Sequence, residues 1–254
     1  MLKKQVVTVS FAAVAAFGMA LSAAAPMASA QSAATKTAAT QSAPAAASKT
    51  VDWTTVVQKT PEGGFIMGNP KARVTLIEFA SLTCPHCAAF HNEAMNTLKN
   101  EYVKSGKVRY EFRNFILTGP DYAASLLARS QGTKRFFPLL DAFFSRQEQW
   151  VKPFMQVTEE QQKQLAAVPQ QQQIKALAEL GKLDEYVRRL GIPKAKFDQA
   201  LTDQAEIKRL ADMRKEAIET YQISGTPSFV LNGKKLESVS SWPDVRARLD
   251  AALK

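Results

Sequence analysis

Residues 74–80 read Val-Thr-Leu-Ile-Glu-Phe-Ala, a continuous β-branched and aromatic run that predicts a buried strand. It feeds into Ser81-Leu82-Thr83-Cys84, and Pro85 then suits a first helical position, where its missing N–H is no loss. Apolar Phe90, Met95 and Leu98 carry the helix to about Lys104. After the Ser105-Gly106 turn, Val108 to Phe112 alternates like a second strand. Strand, helix and strand with short connections form a βαβ unit, which favours parallel pairing and an α/β fold. Upstream, order begins near Val51 to Val57, and the turn signals Gly63-Gly64 and Asn69-Pro70 bracket Phe65-Ile66-Met67 as a candidate edge strand.

From Asp121 to about Gln222 the pattern turns helical. Predicted helices are 123–130, 136–150, 159–167, 174–181, 186–190, 195–201 and 206–221, with Pro153, Pro169 and Pro193 as punctuation. Ser228 to Leu231, Asn232-Gly233 and Lys234 to Leu236 then spell an antiparallel hairpin with a tight turn. Trp242-Pro243-Asp244 opens a last helix with Val245, Leu249 and Leu253 on one face. Two parts of a sheet are thus separated by a helical block too large to be a loop. An inserted helical subdomain, about residues 118–222, is the economical reading.

The N-terminus changes the picture. Met1-Leu2-Lys3-Lys4 is positive, an apolar stretch runs from Val6 to about Ala25, and Ala28-Ser29-Ala30 offers small residues to a signal peptidase. Residues 1–30 are expected to be a cleaved signal peptide, with a retained anchor as the alternative, and cleavage is placed before Gln31. Residues 31–50 contain Ala, Ser, Thr, Gln and Lys with one Pro, which cannot build a core and predict a flexible tether. Residues 51–254 then make up the folded domain, with no further apolar run long enough to span a bilayer. The expected location is the periplasm.

The 254-residue chain is 46% hydrophobic and 22% charged, as in ordinary globular proteins. Its formal charge is +10, which becomes +8 without Lys3 and Lys4, since residues 1–30 contain no acid. The basic residues are interspersed with acids on helical stretches such as Lys208 to Glu219, so they read as solvated faces. A nucleic-acid partner would need clustered charge and interleaved aromatics, and none is expected.

The chemistry lies in the only two cysteines, Cys84-Pro85-His86-Cys87. A disulfide between them closes too short a loop to restrict the unfolded chain much, so a redox role is the better explanation. Three residues apart on a helix, the two side chains are neighbours. Cys84 at the helix start meets free N–H groups and the positive dipole end, which favour its thiolate. Pro85 stiffens the turn, and His86 adds a positive or donor group beside the sulfur. Only the reduced form contains a thiolate, so stabilising it makes the disulfide a stronger oxidant. A fall in pKa from about 8.5 to about 4 favours the reduced form by about 4 kcal/mol at pH 7, or about 90 mV. Covalent haem attachment would need a His after Cys87, where Ala88 stands. A metal could recruit Cys84, Cys87 and His91, but structural zinc usually takes four such ligands, so no metal is expected and His91 is read as a surface or packing residue.

The strand at 74–79, the Cys84-Pro85-His86-Cys87 motif and the distant Gly225-Thr226-Pro227-Ser228-Phe229 together resemble the DsbA-like thioredoxin-fold oxidoreductases. Gly68-Asn69-Pro70 is similar to that family's entry into its first long strand, and the likeness spans about Val51 to Lys254. The resemblance implies a thioredoxin fold with a large inserted helical subdomain. It implies that Cys84 is the exposed nucleophile, Cys87 the buried resolving thiol, and His86 a tuner of the potential. Pro227 would be cis and face the disulfide, with the Thr226 backbone binding a peptide. Glu78, six residues before Cys84, would be a buried acid that moves protons to the inner thiol, the alternative being an exposed strand carboxylate.

The expected function is a monomeric dithiol oxidase that needs no cofactor. It would act on reduced secreted proteins and be re-oxidised by a DsbB-like membrane partner. Thr226 stands where prototype oxidases of the family carry Val, and Thr there is also found in isomerase-type and suppressor-of-copper-sensitivity-type relatives. An isomerase or reductase kept reduced by a membrane donor is therefore the rival expectation. A copper- or zinc-binding dithiol chaperone and a peptide-binding chaperone with a vestigial disulfide are further alternatives.

Overall fold

The computed structural model describes residues 51–254, so the expected signal peptide, cleavage point and tether lie outside the described residues. Six strands form one mixed sheet in the order β1-β2-β4-β3-β5-β6. They are β1 (Val57–Lys59), β2 (Phe65–Gly68), β3 (Val74–Ala80), β4 (Val108–Asn114), β5 (Ser228–Leu231) and β6 (Lys234–Lys235). β3 and β4 are parallel, with Val74 opposite Val108 and Ala80 opposite Asn114, while β2 pairs with β4 and β5 pairs with β3 antiparallel. The crossover between β3 and β4 is helix α1 (Pro85–Thr97), extended by a π-helical segment over Leu98–Val103. β3 is thus central and buried on both faces, which accounts for its continuous apolar run.

Alternation along β3 divides the core. Leu76 belongs to the main apolar cluster with α1, whereas Ile77 and Phe79 join Phe115, Ala217, Ile223 and Val230 in a smaller cluster. Helix α2 (Gly119–Arg129) opens the helical block, followed by α3 (Thr133–Ser145), α4 (Gln147–Met155), α5 (Glu159–Ala167), α6 (Gln170–Leu180), α7 (Leu183–Arg189), α8 (Lys194–Leu201) and α9 (Gln204–Tyr221). The chain then re-enters the sheet at β5 and ends in α10 (Trp242–Leu253). Trp242 meets Phe90 and Tyr102 edge-on, and the Tyr102 hydroxyl donates to Asp250 at 2.6 Å, fixing α10 against α1. Phe136 of α3 stacks on Phe65 of β2 with ring centroids 3.7 Å apart, so block and sheet share one apolar core.

Three local expectations are corrected. Phe65 to Met67 is not an edge strand, because β1 pairs along its outer side. Val57-Gln58-Lys59 is short and largely exposed, so it carries little hydrophobic signal of its own. The predicted helix over 136–150 is two helices that break at Arg146, whose backbone leaves the helical region at φ −124°, ψ 30°. Pro153 lies inside α4 rather than between helices, whereas Pro169 and Pro193 do stand as N-caps of α6 and α8. The hairpin turn follows the pattern read from sequence, with Asn232 and Gly233 both at positive φ.

Candidate active site

β3 ends at Ala80, and the chain closes a turn in which the Cys84 N–H donates to the Ser81 carbonyl at 3.2 Å. Cys84 becomes the N-cap of α1 with extended backbone (φ −81°, ψ 120°), and Pro85 starts the helix. Among the described residues no side chain caps this end, which leaves its first N–H groups available to a sulfur. Pro85 and His86 are exposed, and Cys87 is wholly buried one turn along. Cys84 is less exposed than the resemblance implied, at only 7%. The loop before β5 covers it: the Cys84 thiol donates to the Thr226 carbonyl at 3.4 Å. The Thr226–Pro227 bond is cis, and the Thr226 hydroxyl is buried.

The two thiols are electrostatically opposite. Cys84 is lowered to about 5, foremost because the Cys87 thiol donates to its sulfur. The Thr226 side chain and the backbone N–H groups of Cys87 and His86 add to this, while burial opposes it. His86 thus helps hold the charge through its backbone. Cys87 is pushed strongly upward, first by burial and then by the neighbouring Cys84 and Glu78. Cys84 can therefore exist as a thiolate at neutral pH, and Cys87 stays protonated.

Glu78 is fully buried on β3, not an exposed strand carboxylate. Burial raises it to about 8, against the Tyr110 hydroxyl that donates to its Oε2 at 2.6 Å. Its Oε1 is buried without a partner among the described residues. The negative charge of Cys84 raises Glu78 further, so it titrates within the electrostatic reach of the pair. His91 is buried and committed elsewhere: its Nε2 lies 2.8 Å from Asp141 Oδ1, and its ring packs on Phe144. Among the described residues no cluster of three or more His, Cys, Asp or Glu is placed to hold a metal ion.

Three residues of the site escaped sequence reasoning. Tyr110 lies opposite Leu76 in the parallel β3–β4 register, so strand parity puts it on the same face as Glu78 and could have found it. Asp121, wholly buried on α2, accepts from the Leu82 and Leu117 N–H groups at 2.9 Å each, and burial raises it to about 6. Gln147, at the start of α4, donates to the carbonyls of Leu82 at 2.7 Å and Cys84 at 2.9 Å. It lies 63 residues from Cys84, with no local signal. Beside it, a groove of about 330 Å³ separates Pro85 and Asn92 on α1 from the Phe144–Gln149 segment.

A family model described as Thioredoxin matches residues 59–251. A Rickettsia bellii protein named "Putative protein-disulfide oxidoreductase" is 28% identical over 199 residues, covering 78% of this chain and 68% of that protein. A Rickettsia prowazekii relative of the same description is 29% identical over 74% of this chain and 61% of its own length, so the chain spans about two thirds of these curated relatives. Among solved structures, a protein-disulfide isomerase from Novosphingobium aromaticivorans is 34% identical, covers 75% of this chain and 97% of that one, and superposes with a TM-score of 0.72. Wolbachia pipientis α-DsbA1, 22% identical with a TM-score of 0.59 over 74% of this chain and 89% of that one, shares the fold. With a thioredoxin core, a helical block between β4 and β5, and two unlike thiols at the start of α1, the chain belongs to the thioredoxin family, among its thiol:disulfide oxidoreductases.

Proposed function

We propose that this protein is a periplasmic dithiol oxidase that passes a Cys84–Cys87 disulfide to reduced secreted proteins. The observation that carries this reading is the contrast between a Cys84 thiol lowered to about 5 and a Cys87 thiol pushed upward by burial. A substrate thiolate attacks Cys84 Sγ, breaks its bond to Cys87 Sγ and forms a mixed disulfide. Cys87 leaves as a thiolate in a buried site and needs a proton. Glu78, raised to about 8 and hence protonated at neutral pH, is the group in the site suited to supply it. A second substrate thiolate then attacks the substrate sulfur of the mixed disulfide and expels Cys84 as its stabilised thiolate. Two electrons have moved from the substrate dithiol to the protein, and a low leaving-group pKa speeds that last step. A membrane partner of the DsbB kind takes the two electrons back and restores the disulfide. No other cofactor takes part, and the working form is a monomer.

The Thr226 backbone, beside the cis Pro227, is the strand-like edge where a substrate peptide pairs. The isomerase or reductase reading draws support from the name of the Novosphingobium relative and from Thr226 itself. Both readings use the same atoms and differ in the resting state. Rapid acid quenching of cells followed by alkylation should find the Cys84–Cys87 pair mostly oxidised. A pair trapped mostly as dithiol would reject the oxidase direction in favour of the isomerase or reductase.

A further inference from the structure

The turn that presents Cys84 is gripped from outside the thioredoxin core. Leu82 is held at both ends of its backbone: its N–H by Asp121 of α2 and its carbonyl by Gln147 of α4. Gln147 uses one amide nitrogen for two carbonyls, those of Leu82 and Cys84, and so bridges the turn on either side of Thr83. Its side chain is buried, so these bonds form where a lost donor is costly. The Cys84 carbonyl also accepts the Ala88 N–H at 3.1 Å, which makes it a two-donor acceptor at the helix start.

We propose that Gln147 is a positioning residue for the redox thiol: reaching in from the helical block, it fixes the Leu82–Cys84 turn so that the Cys84 sulfur stays beside the first N–H groups of α1. The physical case has two parts. The sulfur can approach the His86 and Cys87 N–H groups only while the residue 84 backbone keeps its extended N-cap conformation, and Gln147 bonds the carbonyl whose direction sets that conformation. In addition, a carbonyl oxygen is the negative end of a dipole. Drawing the Leu82 and Cys84 oxygens toward an amide donor keeps two partial negative charges satisfied and oriented beside a developing thiolate. The helical block thus helps set the chemistry of a motif that lies wholly in the core.

Gln147→Met keeps the length and volume of the side chain and removes both donors. In this variant the Cys84 thiolate absorbance is expected to titrate about one pH unit higher than in the parent. The equilibrium with glutathione is expected to shift by up to about tenfold toward the disulfide. A merely structural role would lower stability without moving either the titration or the glutathione equilibrium. Unaltered titration and glutathione equilibrium in a folded Gln147→Met protein would overturn the proposal. If Gln147→Met does not fold, the same question is put to the parent. The side-chain amide resonances of Gln147 should shift with the midpoint of Cys84 itself, and resonances that stay fixed through that titration would overturn the proposal. The inference rests on Cys84 being a redox thiolate, and the two can fail separately: a parent Cys84 that titrates near 9 sinks the underlying reading, whereas a low parent value unmoved by the variant sinks only the role of Gln147.

Discussion

At the scale of single residues, the protein separates two chemically identical side chains by their surroundings. Cys84 stands where donors converge, Cys87 where burial and neighbouring negative charge outweigh one backbone contact at Ser81, and Glu78 where burial keeps it neutral. Cys84 titrates near its ordinary value in the unfolded chain and at about 5 in the folded one. Its stabilising contribution to the reduced protein is therefore complete above the unfolded value and is lost as pH falls through about 5. The oxidised protein has no such thiolate. At pH 7 the reduced protein should melt above the oxidised one, and the gap should narrow as pH falls toward 4; thermal melts of both forms check this, and a gap independent of pH would contradict it. Glu78 has the opposite sign. Raised to about 8, it contributes stability that is present below its unfolded value and lost as pH rises through about 8. Glu78→Gln removes that loss, so urea denaturation should show the parent weakening relative to the variant between pH 5 and 9, by at most about 1.4 kcal/mol per pH unit.

At the scale of elements, charged groups tie the helical block to the sheet. Arg129 of α2, with no exposed side-chain surface, donates to Glu206 of α9 at 2.7 Å, to Asn114 of β4 at 3.0 Å and to the Gly63 carbonyl at 2.9 Å. Removing it leaves the buried Asn114 oxygen and the Gly63 carbonyl without this donor, while Glu206 keeps Lys59 and Arg209, so Arg129→Ala should cost about 2–3 kcal/mol in urea denaturation. A loss below about 1 kcal/mol would mean that these acceptors are already solvated. The elements themselves were unevenly legible. β3, the start of α1 and the Asn232-Gly233 hairpin announce themselves through local rules, because their residues act on their own backbone. β1 did not, because a three-residue polar strand exists only by pairing with β2. The break at Arg146 was hidden for a related reason, since the apolar spacing continues across it while the backbone does not.

At the scale of the whole molecule, one apolar cluster runs from β3 and α1 through α3, α7 and α8 to α10. The Phe65–Phe136 stack lies on the boundary between sheet and helical block. Shared packing of this kind couples the parts, so thermal unfolding of the reduced protein followed by far-UV and near-UV circular dichroism should give coincident single transitions. Two separated transitions would show that the block folds independently. The amino-acid sequence by itself determined the order of elements, the central strand, the dithiol at a helix start and the family likeness, because each is written in neighbouring residues or in a short motif. Tertiary structure alone decided how far Cys84 is covered, that Glu78 is buried against Tyr110, and that Asp121 and Gln147 grip the turn. Burial and hydrogen-bond partners across many residues of chain are properties of the folded packing, and no local pattern encodes them.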